Sequence, residues 1–115
     1  MTTDIKRDWE VRRAGGGDVE SLVAMRLRLD DHLVRANPRQ LRLSASGRAA
    51  LPDRYREALA DRASCLLVAE GRSTAEVVGM AWGRAAVRED ITPSQVGRID
   101  DVWVEPHWRR QGICR

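Results

Sequence analysis

Apolar and polar positions along the chain change their period several times, and each change marks an element. Trp9-Glu10-Val11-Arg12-Arg13 alternates apolar and polar side chains, the pattern of a half-buried strand. Gly15-Gly16-Gly17 interrupts it, and Asp18 follows as an N-cap whose carboxylate can accept from a free amide of a first helical turn. Val19, Leu22, Met25, Leu29 and Leu33 then recur at helical spacing and predict one apolar stripe along a helix that Asn37-Pro38 ends. Residues 38–50 are basic and read as a loop. Pro52 suits a first helical turn, which predicts a second helix to about Ala63 with Leu51, Tyr55 and Leu59 on one face.

Shorter apolar runs follow. Cys65-Leu66-Leu67-Val68-Ala69 predicts a buried strand, and Gly71-Arg72-Ser73-Thr74 a turn. Glu76 to Gly83 predicts a strand joined to it as an antiparallel hairpin, with Gly79 and Gly83 relieving crowding or admitting a close approach to the backbone. A polar connection through Pro93 leads to a last strand whose apolar core, Val102-Trp103-Val104, stops at Pro106. The predicted order is β-α-α-β-β-β, an α+β arrangement with two helices covering a mostly antiparallel sheet. Strict alternation puts Val104, Val102 and Asp100 on one face of the last strand, and Trp103, Asp101 and Ile99 on the other. Each face then carries one aspartate, a residue ill suited to strands. A buried carboxylate needs a partner, for which Arg84 and Arg98 are candidates. At most one of the two carboxylates can face a given reaction centre.

Length and charge narrow the picture. A chain of 115 residues holds one domain, and 43% apolar with 32% charged residues is a globular profile. With no Phe and one Tyr, the four Trp and the aliphatics must build the core. No apolar run approaches the ~18 residues of a membrane span, and the first residues lack a secretory pattern, so the cytoplasm is the expected location. Cys65 and Cys114 form neither a metal pattern nor a disulfide framework, and Cys65 reads as a small core residue. His32 and His107 have no ligand partners at metal spacing, so no metal is expected. The net charge of +3 is mild, and its arginines are interspersed with acids. That argues against a nucleic-acid partner and suits an anionic small molecule.

The stretch from Gly97 to Arg115, GRIDDVWVEPHWRRQGICR, resembles the acetyl-CoA strand and pyrophosphate loop of the GCN5-related N-acetyltransferases. The family loop runs Gln or Arg, any two residues, Gly, any residue, then Gly or Ala. Here Arg109, Gly112 and Cys114 take the first, fourth and sixth positions, and Cys114 departs from the pattern. Such a loop aims backbone amides at a pyrophosphate, and Gly112 permits the close approach. The resemblance implies that Val102, Trp103, Val104, Arg109, Arg110, Gln111, Gly112, Ile113 and Cys114 bind acetyl-CoA as co-substrate. Arg109 and Arg110 would add charge-assisted contacts to phosphate oxygens. The Asp pair before the apolar strand is similar to that of diamine acetyltransferases, which implies a catalytic role for Asp100 or Asp101 in holding a cationic amine or relaying its proton.

The implied reaction is direct attack of a small-molecule or peptide amine on the acetyl thioester. Backbone amides near Trp103 and Val104 would stabilise the oxyanion. Tyr55 does not match the position of the family's general acid. The resemblance covers the N-terminal part of the family domain only, so residues 1–115 read as one truncated domain ending at the pyrophosphate loop. Alone it is expected to bind acetyl-CoA poorly and catalyse little. The last strand would then be an open apolar edge, a site for a homodimer or partner to complete. The alternative is a non-catalytic domain of the same fold, or a basic interaction module binding nucleic acid or a protein.

Overall fold

The structure is a computed structural model, and it describes residues 8–39, 42–87, 90, 92 and 95–113. Four strands, β1 (Trp9–Arg13), β2 (Ser64–Gly71), β3 (Val77–Val87) and β4 (Gln95–Val104), form one sheet in the order β1-β2-β3-β4. Every neighbouring pair is antiparallel. Two helices, α1 (Val19–Ala36) and α2 (Ala45–Ala60), lie between β1 and β2 in sequence and pack on one face of the sheet. This is the predicted α+β order. Within the described residues, β4 ends the sheet.

The helix stripe of α1 supplies Val19, Leu22 and Met25 to the core, with Leu29 packed partly against it. From α2 come Leu51, Tyr55 and Ala58, and from the sheet Leu66, Val68, Met80, Trp82 and Trp103. Met80 and Trp82 sit two apart on β3, so one face of the pleat meets both helices. Two of the four tryptophans thus fill the space that phenylalanine would usually take.

The start of α2 corrects the sequence reading. Residues 45–50 are helical rather than loop, and Pro52 lies inside the helix instead of in its first turn. Ser44 is the cap: its hydroxyl accepts from the Gly47 amide at 3.0 Å, satisfying a donor the helix leaves free. Pro52 removes one later amide, a cost of about 3 kcal/mol in a helix interior, against which the helix sets the burial of Leu51, Tyr55 and Ala58. The helix also stops at Ala60, three residues earlier than expected.

Asp18 departs from its expected role in a similar way. Its side chain makes no bond to the first turn of α1. Instead it accepts from the Gly15 amide at 2.7 Å and from both terminal nitrogens of Arg12 at 2.8 and 2.9 Å. The Arg12 hydrogen bond is the main reason its carboxyl is held below the usual range. Asp18 therefore ties β1 to the glycine turn rather than capping the helix.

Cys65 and Leu67 are half-buried, not core, because they point to the face of the sheet opposite the helices. That face carries Val11 and Val102, each 43% exposed, and Ile99, 74% exposed. It borders a concave apolar cavity of about 780 Å³ that reaches from Cys65 and Ala81 to Gly112. Gly79 relieves crowding, as one of its two expected roles: a Cβ there would stand 3.3 Å from the Trp103 carbonyl oxygen.

Candidate functional site

The site is built on β4. Its pairing with β3 runs Gly79↔Val104, Met80↔Trp103, Ala81↔Val102 and Trp82↔Asp101, then shifts so that Gly83 faces Ile99. Asp100 is the extra residue of a β-bulge. Below the bulge Arg98 pairs with Arg84, on the same face of β3 as Trp82. Asp100 shares the face of Arg98, and Asp101 shares the face of Trp82 directly opposite. Both carboxylates therefore point to the helix-covered side, together with Trp103. Ile99, Val102 and Val104 take the other side. The expected alternation of the two aspartates across the strand is overturned, because one unpaired residue resets the pleat.

The two carboxylates nonetheless differ. Asp100 accepts from Arg84 Nε at 2.6 Å and pairs with Arg98 Nε at 2.8 Å. The Arg84 hydrogen bond dominates in holding its carboxyl below the ordinary carboxylate range, with Arg98 adding to it. Asp101 has a looser contact, 3.5 Å from Arg26 Nε on α1. Arg26 in turn lies 3.8 Å from Asp30, whose carboxylate also accepts from Arg48 and the Leu43 amide. A chain of charges thus runs from the bulge across α1 to the first turn of α2.

Aromatic groups surround Asp101. Tyr55 packs on Trp82 with ring centroids 5.6 Å apart, and His32 meets Trp103 edge-on at the same distance. Burial first, then the charge of Asp101, pushes the Tyr55 phenol up. Tyr55 Oη, Trp82 Nε1, Trp103 Nε1 and Arg26 Nη1 are buried and have no hydrogen-bond partner among the described residues. Sequence reasoning placed Tyr55 and Trp82 in the core and gave Arg26 no role. The bulge that gathers them leaves no trace in composition; only the awkward Asp-Asp pair hinted at it.

The backbone phase of β4 follows from its neighbours. The Glu105 amide donates to the Val78 carbonyl at 2.8 Å, so Trp103 and Asp101, two and four residues back, also bond to β3. The amides and carbonyls of Val102 and Val104 consequently point outward along the open edge. The Trp103 amide, expected as an edge donor, is turned into the sheet. The Val104 carbonyl is capped by Arg109 Nε at 2.8 Å, and the Arg109 guanidinium rests 4.5 Å from the centre of the Trp103 ring.

After β4, Pro106–Trp108 makes one turn of 3-10 helix, and Arg109 to Ile113 form the loop. Arg110 has φ 65° and Gly112 φ 83°, so the loop bends through two left-handed residues. Gly112 adopts this without penalty, whereas Arg110 is strained by about 1–2 kcal/mol. The loop is tethered at its middle and just before its start. Trp9 Nε1 donates to the Gln111 carbonyl at 3.2 Å, and the Trp108 ring sits where a Cβ on Gly71 would be only 3.0 Å away. Cys114, the remaining residue of the expected loop, lies outside the described residues. Among the described residues no group of three or more His, Cys, Asp or Glu side chains could hold a metal ion, and no helix is long and apolar enough to cross a membrane.

Residues 27–115 match the model of the acetyltransferase (GNAT) family. The chain belongs to this family. Its fold is that of solved GNAT structures. An aminoglycoside 6'-N-acetyltransferase of Acinetobacter baumannii aligns with a TM-score of 0.68 at 15% identity, over 92% of this chain and 63% of its own. A predicted acetyltransferase of Clostridium acetobutylicum, solved with acetyl-CoA, aligns with a TM-score of 0.69 at 19% identity, over 92% of this chain and 66% of its own. A transcriptional regulator of Bacillus halodurans aligns with a TM-score of 0.67 at 27% identity, covering 91% and 65%. The chain thus spans 63 to 66% of the length of these structures. No curated protein matches it in sequence.

Proposed function

We propose that the chain carries the acyl-CoA-binding edge and the amine-side carboxylate of an N-acetyltransferase. The observation that carries this reading is the outward backbone of Val102 and Val104, running directly into the left-handed loop at Arg110 and Gly112. An extended pantetheine arm can add to such an edge as a further strand. Loop amides from Gln111 to Ile113 are then in line to meet the pyrophosphate. Acetyl-CoA supplies the activated acetyl group.

In the reaction the amine nitrogen attacks the acetyl carbonyl carbon, the C–S bond breaks, and the thiolate leaves. The Val104 amide faces the edge and is the donor we assign to the developing oxyanion, in place of Trp103. Asp101 is the acceptor for the proton lost by the amine, directly or through one water. Asp100 is unsuited to that task, since two arginines hold it ionised. Its role is to fix the bulge that turns Asp101 inward. Arg109 must leave the Val104 carbonyl, or share it, when the pantetheine arm pairs there.

The basic-module alternative finds less support. Arg12, Arg26, Arg28, Arg48, Arg56, Arg84 and Arg98 are each ion-paired with a carboxylate, so their charge is locally neutralised. Titration of ¹⁵N-labelled protein with acetyl-CoA tests the reading, since amide shifts detect even weak binding. The amides of Val102, Val104 and Gly112 should move most, and Asp101→Asn should lower thiol release with an accepting amine while leaving those shifts in place. Shifts confined to the Trp9 and Val11 region, with Gly112 silent, would refute it.

A further inference from the structure

The polar groups around the bulge are poorly matched to a polycation. Arg26, Arg84 and Arg98 are paired there with Asp30, Asp100 and Asp101, and Arg54 adds a further guanidinium. Asp100 is already held by two arginines and Asp101 by one. Arg54 on α2 stands apart: its guanidinium lies 5.4 Å from the centre of the Trp82 ring, and no carboxylate of the described residues is within ion-pair distance of it. Arg84 lies 5.1 Å from the same ring. Trp82 is thus bordered by Arg54 on α2, by the Asp100-paired Arg84 on β3, and by Tyr55 within.

The buried side of this cluster is equally one-sided. Tyr55 Oη, Trp82 Nε1, Trp103 Nε1 and Arg26 Nη1 can all donate, and none makes a hydrogen bond among the described residues. A buried donor without a partner carries a penalty of about 1–3 kcal/mol, which an incoming oxygen relieves. Tyr55 links rim and interior, since its ring packs on Trp82 and its hydroxyl lies in the fields of Asp101, Arg26 and Arg54. An arrangement rich in donors and cations, with one loosely held carboxylate, calls for a ligand that brings several oxygens and a single amine.

Resting on the acetyltransferase reading, we propose that the acceptor substrate is an amine bearing a carboxylate or phosphate. Arg54 anchors the anionic group at the Trp82 rim, and Asp101 receives the amine. A polyamine or an aminoglycoside would face Arg54, unpaired among the described residues, with like charge, where an anionic group gains a partner.

The indole N–H signals of the labelled protein give a readout that needs no catalysis. Glutamate (carboxylate) and glucosamine 6-phosphate (phosphate) are titrated against spermidine and kanamycin, without acetyl-CoA. One of the two anionic amines should shift the Trp82 indole signal at concentrations at least tenfold below either polycation, and the tighter of the pair identifies the anion. Arg54→Gln should weaken that binding about tenfold and leave the acetyl-CoA shift at Gly112 unchanged. Tighter binding of a polycation, no Trp82 shift with either anionic amine, or an Arg54→Gln variant with full affinity would each overturn the proposal. Failure at Gly112 alone would instead count against the acyl-CoA reading, because the amine titrations are independent of it.

Discussion

Asp30 ties α1 to the start of α2 over the site, and its removal has a calculable effect. Its side chain is 2% exposed. One oxygen accepts from the Leu43 amide at 3.1 Å and the other from Arg48 at 3.0 Å, so it joins α1 to the segment that leads into α2. Breaking a buried ion pair from one side costs about 3–5 kcal/mol. Arg48 is 41% exposed and recovers water once released, which lowers the expectation for Asp30→Ala to about 2–3 kcal/mol. For a domain of this size that is a fall in melting temperature of about 8–12 °C. Asp30→Asn retains an acceptor for Leu43 and should lose about half as much. Arg48→Ala should cost less than Asp30→Ala, and the double variant should show a coupling of about 1 kcal/mol. Thermal and urea unfolding of the four proteins measure this. If Asp30→Ala melted within 2 °C of the parent, the assignment of Asp30 as the tie between the helices would be refuted.

Three further outcomes follow from other parts of the fold. The Asp100 carboxyl is held down by Arg84 and Arg98, so its contribution is full above the unfolded-state value of about 3.9 and is lost as pH falls through the lower folded value. Urea midpoints of the parent should therefore drop more steeply below about pH 4 than those of Asp100→Asn; parallel acid limbs would contradict the pairing. Gly112→Ala must hold φ 83° with a side chain and should lose about 1–2 kcal/mol of stability, while Gly97→Ala, which has nothing within 4 Å of the new Cβ, should stay near the parent. Ser44→Ala removes the acceptor for the Gly47 amide and should lower stability by about 1 kcal/mol, with circular dichroism reporting a small loss of helix.

What could be read from the chain was what periodicity encodes. The α1 stripe as far as Leu29, its stop at Asn37, the hairpin of β2 and β3, and the order of elements all depend on local apolar spacing, and all stand in the structure. The start of α2 was missed because Pro52 is a strong local signal, while a serine seven residues before Leu51 is a weak one. Cys65 was misplaced for a different reason. An unbroken apolar run gives no indication that only one face of the strand is covered by helices. The two aspartates were assigned to opposite faces by a rule that holds only in an unbroken pleat, and a bulge is a property of two strands in register, invisible in either alone.

The bulge also explains why an Asp-Asp pair stands in an otherwise apolar strand. In a regular pleat, one aspartate would point to the apolar face beside Val102 and Val104, away from Arg26, Arg84 and Arg98. With the extra residue, both turn toward the arginines of β3, β4 and α1. Asp100 then takes Arg84 and Arg98, which leaves Asp101 with the weaker hold of Arg26. The arrangement separates two duties that one carboxylate could not combine. Asp100, fixed by two short ion pairs, keeps the backbone in place, which on the proposed reading leaves the amine side to Asp101. Above the bulge the amides of Val102 and Val104 face the open edge, so the carboxylate of Asp101 and these amides lie along the same stretch of β4.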